Sequence, residues 1–152
     1  MSTRSQKYKG KFKPDNPSKY MGDVENIIYR SGWERRAMKY FDVNPGVLKW
    51  ASEEVAIPYY DSVGKKVRRY FPDFLIKVQT AEGSTQTHLI EVKPSKDLRP
   101  PVGGRGKKKS TVLYEMKTYR MNQDKFAAAR KWCDDRNIIW DVWTEKQLKQ
   151  KG

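Results

Sequence analysis

Two short apolar runs carry charges where a strand should be apolar. "YFPDFLIKV" at 70–78 holds Asp73, and "THLIEVKP" at 87–94 holds Glu91 and Lys93. Burying a charge is costly unless it is paired or binds a metal. A fold that accepts these runs must therefore bring the charges together. Side chains alternate along a strand, so Glu91 and Lys93 share one face and Val92 takes the other. If the two strands pair, Asp73 and Glu91 converge as hard oxygen ligands for a divalent cation, and the backbone carbonyl of Val92 adds a third oxygen. Mg2+ suits such a set because it binds through one or two carboxylates plus waters and substrate phosphates, with Mn2+ able to take its place. Lys93 then points at the same spot, where it can orient or help deprotonate a water and stabilise charge on a phosphate. The chemistry this set supports is phosphodiester hydrolysis. The plain alternative is an edge strand with a solvated Glu–Lys face. The apolar flanks, and Pro72 directly before Asp73, weigh against it.

The surrounding pattern predicts an α/β domain. "YRSGWERRAMKYFDVNPG" at 29–46 has helical spacing of Trp33, Ala37, Met38 and Phe41, a Ser31 cap, and an Asn-Pro-Gly stop. "VLKWASEEVAIPYY" at 47–60 reads as a strand with a polar kink at 52–54. "VRRYFPDFLIKVQT" at 67–80 and "THLIEVK" at 87–93 read as two more, forming an antiparallel meander within a mixed sheet. Residues 94–110 are a Pro-, Gly- and Lys-rich loop, either a solvated linker or a strap over phosphates. A long helix at 111–137, a short buried strand at 138–143 and a terminal helix complete the chain. Residues 1–22 read as a basic extended arm, and 23–152 as one domain.

With 152 residues and a formal net charge of +14, the chain points to a polyanionic partner, nucleic acid first. "KKVRRY" and "GRGKKK" supply the phosphate-contact candidates Lys65, Lys66, Arg68, Arg69, Arg105, Lys107, Lys108 and Lys109. Neither run is built for base readout, so weak sequence preference is expected. The single cysteine, Cys133, excludes an internal disulfide and a Cys-cluster zinc site, and fits a reducing cytoplasm. The single histidine, His88, excludes mechanisms that need two. No segment is apolar enough to cross a membrane, and the N-terminal stretch has no secretory h-region.

Other polar residues read as structural. Ser31 and Glu34 have capping-box spacing, so local sequence makes Glu34 a helix-start group. Asn122 and Gln123 interrupt the apolar stripe of the long helix as hydrogen-bonding residues. Lys125 reads as a solvated or DNA-facing charge rather than a catalytic one.

Pro72-Asp73 followed by Glu91-Val92-Lys93 resembles the PD-(D/E)xK motif of the restriction-endonuclease-like superfamily, and the element order resembles its αβββαβ core. "RSGWE" at 30–34 resembles the first-helix motif of the resolvase and transposase-type members. That resemblance implies that Glu34 joins Asp73, Glu91 and Lys93 as a catalytic and metal-site residue. "KGKFKPDNPSKYMGD" at 9–23, "IIYRSGWE", "RRYFPDF" and "EVKP" resemble the head completion nuclease family of contractile-tailed bacteriophages. This implies an endonuclease working in the host cytoplasm or at the head vertex, with DNA and portal or neck proteins as partners, processing packaged DNA ends before tail joining. A structural head protein and a junction-resolving nuclease are the competing expectations.

Overall fold

The computed structural model describes residues 9–151. Its centre is a four-stranded mixed sheet in the order β3-β6-β7-β8. β3 (Val47–Ser52), β6 (Phe74–Gln79) and β7 (Thr85–Val92) run antiparallel to their neighbours, and β8 (Ile139–Trp143) is parallel to β7. A parallel partner requires a crossover, which is supplied by the long helix α2 (Lys109–Asp135). The expected α/β core with a mixed sheet and flanking helices is therefore present.

Alternation along β7 sends Ile90 to one face of the sheet and Leu89 and Glu91 to the other. Ile90 joins Phe74, Ile76, Trp50, Phe41 and Trp143 under helix α1 (Gly32–Val43) and helix α3 (Glu145–Lys151). Leu89 joins Phe126, Ala129 and Cys133 under α2. Helix α1 forms where expected: the Ser31 side chain accepts from the Glu34 amide, and Asn44 closes the last turn.

Three stretches differ from the sequence reading. The strand at 47–60 is two strands in different sheets, broken at the predicted kink, where Glu53 adopts a left-handed conformation at φ 56°. The strand at 67–80 is also two. β4 (Ile57–Asp61) and β5 (Lys66–Tyr70) form a separate hairpin, and the chain passes through Phe71-Pro72-Asp73 before β6 begins. Proline lacks an amide donor, so a break there follows from its chemistry. Asp73 thus lies just ahead of its strand, not in its middle. The strand at 138–143 is only half buried, with Ile139 and Asp141 exposed.

The arm read at 1–22 is, over its described part, folded onto the core. β1 (Gly10–Lys11) pairs with β2 (Ile28–Tyr29). Phe12 and Tyr20 pack edge-on against fully buried Trp50, at centroid distances of 5.8 and 4.7 Å. Buried Asp42 accepts from the amides of Asp15 (2.7 Å) and Asn16 (3.0 Å). Lys19 Nζ donates to the carbonyls of Asp42 and Asn44, both at 2.9 Å. These bonds satisfy carbonyls that a helix C-terminus otherwise leaves open. The charged composition hid these apolar anchors. Residues 1–8 lie outside the described part.

The hairpin is held against α2. Its inner face buries Ile57, Tyr59, Asp61 and Tyr70. Asp124 accepts from both the amide (2.9 Å) and hydroxyl (2.6 Å) of Ser62. Asp61 accepts from Val63 and Gly64 amides and from Arg68 Nε, which closes the turn. A Cβ on Gly64 would meet Asp61 Oδ2 at 2.5 Å, so the turn requires glycine.

Candidate active site

The β6–β7 register sets Phe74 opposite Ile90, so Asp73 falls beside Glu91 where the sheet ends. Asp73 Oδ2 accepts from the Val92 amide at 2.7 Å. The charges of Glu91 and Glu34 both act on Asp73. Glu91 is buried on the α2 face. Its Oε1 accepts from the Tyr70 hydroxyl at 2.7 Å, and Lys93 Nζ lies 3.7 Å from its Oε2. The i, i+2 spacing places Glu91 and Lys93 on one face, as strand alternation requires.

Glu34 arrives from the start of α1. Its amide caps on Ser31, and its Oε1 accepts from the Arg30 amide at 3.0 Å. The local capping reading and the placement at the acidic site are therefore compatible. Arg30 is itself held by a two-pronged contact with Glu53 at 2.9 and 3.1 Å, and the Glu53 amide donates to the Asp73 carbonyl at 3.0 Å.

The three carboxyls repel one another in a site that sheds water. Burial pushes Asp73 well above the usual carboxylate range, and the charges of Glu91 and Glu34 add to that. Asp73 keeps part of its surface open even so. Burial also raises Glu91, while Lys93, Tyr70 and Lys125 pull it back. Burial raises Glu34, with Glu53 and Glu91 adding to the rise and the Arg30 amide opposing it.

Sequence reasoning missed two residues here. Tyr70 ends the hairpin and is pushed above the usual phenol range by burial and by the Glu91 charge. Lys125 is not a fully solvated charge. It is half-buried, with Nζ 5.7 Å from the Tyr70 ring centroid, and its charge acts on Glu91 and Lys93. Burial, then Lys93, lowers its pKa. A signal was available: Lys125 directly precedes Phe126, a buried residue of the helix stripe, which puts it at the edge of the packed face.

The basic candidates are exposed residues of the hairpin and of the segment at the start of α2. Lys65, Lys66, Arg68 and Arg69 are exposed along the hairpin, with Arg68 also bonded to Asp61 at 2.8 Å. Arg105, Lys107, Lys108 and Lys109 are exposed on the loop before α2 and at its first residue, and Lys107 pairs with Glu115 at 2.7 Å. Among the described residues, no three His, Cys, Asp or Glu side chains form a preassembled metal-ligand cluster.

Residues 44–145 match the family described as "TnsA-like endonuclease N terminal". The chain belongs to that endonuclease family. The match contains Tyr70, Asp73, Glu91, Lys93 and Lys125 but not Glu34. The chain is also 38% identical over 148 residues to the "Head completion nuclease" of Enterobacteria phage T4, covering 95% of this chain and 96% of that protein. Together the two findings make the chain a nuclease of phage head completion with a TnsA-like endonuclease domain. Its mixed sheet and flanking helices agree with the restriction-endonuclease-like fold expected from the motif.

Proposed function

We propose that this TnsA-like endonuclease hydrolyses DNA phosphodiester bonds with Mg2+ and processes packaged DNA ends before the tail joins the head. The observation that carries the reading is the crowding of Asp73 and Glu91, both raised in pKa, beside Lys93. Such a pair relaxes when a cation sits between its free oxygens. Asp73 Oδ1 and Glu91 Oε2 would hold Mg2+ or Mn2+, with the Val92 carbonyl as a further oxygen and Glu34 as a further acidic contact. A two-carboxylate site without a third preassembled ligand fits Mg2+, which keeps several waters. When bound, the ion polarises a phosphoryl oxygen and lowers the pKa of water.

The chain's own residues supply the rest. The Val92 amide and the Tyr70 hydroxyl hold Asp73 and Glu91 in fixed orientations. Lys93 stabilises charge at the phosphate and orients the attacking water. The exposed lysines and arginines of the hairpin and of the loop before α2 bind the DNA backbone, which gives affinity without base readout. Portal or neck proteins are the partners at the head vertex, reached in the host cytoplasm during assembly.

The test incubates purified protein with supercoiled and linear DNA in Mg2+, in Mn2+ and in chelator. Nicking or cutting in either metal, abolished by chelator, is expected. Cleavage that continues unchanged in chelator, or DNA binding without cleavage in every condition, overturns the proposal.

A further inference from the structure

The exposed rings and apolar side chains on the outer face of the β4–β5 hairpin have no part in the reaction described above. Register sets Tyr60 opposite Val67 and Pro58 opposite Arg69. Their partners in alternation, Ile57, Tyr59 and Tyr70, are buried against α2, so this second face looks outward. Tyr60 is 58% exposed, Val67 70% and Phe71, just past the hairpin, 44%. The Arg69 guanidinium lies 5.4 Å from the Phe71 ring centroid. From the Tyr60–Val67 pair to Phe71 is four residues of extended chain, about 13 Å.

We infer that this face is a stacking platform for unpaired bases, so that the enzyme selects DNA with single-stranded ends or forks over uniform duplex. The inference rests on the nuclease reading and narrows its substrate. Two features of the hairpin choose the occupant. First, its charge is positive: Arg69 lies on this face and Lys65 is exposed in the turn at its end, whereas Asp61, the hairpin's one acidic residue, is buried on the opposite face and paired with Arg68. That complements a phosphate backbone and not an apolar protein surface. Second, the chain runs from this face to the candidate site, because Phe71 is followed by Pro72 and Asp73. A strand whose unpaired bases lie on Tyr60 and Phe71 carries its next phosphates toward Asp73.

Aromatic rings flanked by lysine and arginine bind single strands without reading sequence, because every base has a stacking face. In a regular duplex the bases are already stacked on one another. The platform therefore adds affinity only where the strand is frayed, tailed or forked. The clamp of Asp124 on Ser62 and the Asp61 turn hold the hairpin in place, so the platform is rigid before DNA arrives.

The experiment compares one sequence as a blunt duplex, as a duplex with an unpaired tail and as a fork, using the full chain with Mg2+. Wild-type protein is expected to cut the tailed and forked forms at least tenfold faster. Y60A and the double variant Y60A/F71A are expected to lose that preference while keeping blunt-duplex cutting within about twofold. Aromatic replacement, Y60W, retains the preference. A second arm works in chelator and needs no cleavage: 2-aminopurine placed in the tail is quenched by wild type and not by Y60A/F71A. Equal quenching by both proteins, or equal cutting of all three DNAs by wild type, overturns the platform. Failure of wild type to cut any DNA counts against the nuclease reading instead, and the quenching arm still decides the platform. Circular-dichroism melting confirms that the variants are folded.

Discussion

Tyr70→Phe separates the role of an outer hydrogen bond from that of packing. The Tyr70 hydroxyl donates to Glu91 Oε1 at 2.7 Å, in a buried setting. The substitution keeps the ring between Tyr59 and Trp140, at centroid distances of 6.5 and 6.4 Å, and removes one oxygen. A hydrogen bond to a charged group contributes about 1.5–3 kcal/mol. At about 1.4 kcal/mol per unit, that is roughly one to two pKa units. The bond favours ionised Glu91, so its loss drives an already raised pKa further up. A carboxyl that is protonated over a wider pH range is a poorer metal ligand. The Mg2+ concentration for half-maximal cleavage is expected to rise about 10- to 100-fold, the usual cost of losing an outer-shell partner. The acidic limb of the pH–rate profile moves to higher pH. Mg2+ titrations of DNA nicking at several pH values read both effects. An unchanged half-saturating Mg2+ concentration together with an unchanged acidic limb would mean that the Tyr70 hydroxyl does not tune Glu91.

Asp73→Asn should stabilise the metal-free protein at pH 7. The folded Asp73 pKa lies above its ordinary value, so its contribution is fully present below about pH 4 and is lost as pH rises through the folded value. Thermal melts should show the gain growing from pH 4 to pH 8 and shrinking when Mg2+ stabilises the wild type. Lys125→Met removes a cation that acts on Glu91 while leaving an apolar stem against Tyr70; cleavage should fall about tenfold, near the lower limit for such outer partners, and the melting temperature should change little. Asp42→Ala frees the amides of Asp15 and Asn16; it should cost about 1–3 kcal/mol in denaturant unfolding and expose the segment from Gly10 to Tyr20 to protease, without changing the rate of the intact protein.

The candidate site was legible where its signal is local. Glu91 and Lys93 sit two residues apart in an alternating run, and Pro72 marks the break that frees Asp73. Ser31 and Glu34 carry their cap in the sequence itself. Tyr70 and Lys125 were not legible as partners, because 21 and 34 residues separate them from Glu91 and only the hairpin and α2 bring them back. The fold was readable to the level of α/β order, but two strands were taken as longer than they are. A continuous apolar run does not reveal that its halves pair with different sheets. The N-terminal segment failed for a different reason: lysines at 9, 11, 13 and 19 mask two aromatic anchors, Phe12 and Tyr20, whose partner Trp50 lies some thirty residues away.

If Asp73 holds the metal, it is required for cleavage and not for binding DNA. Cleavage of supercoiled DNA in Mg2+ by Asp73→Ala, beside its affinity for the same DNA in chelator, tests it most directly. Cleavage abolished with affinity and melting behaviour retained is the predicted result. Cleavage undiminished in the variant would contradict the site.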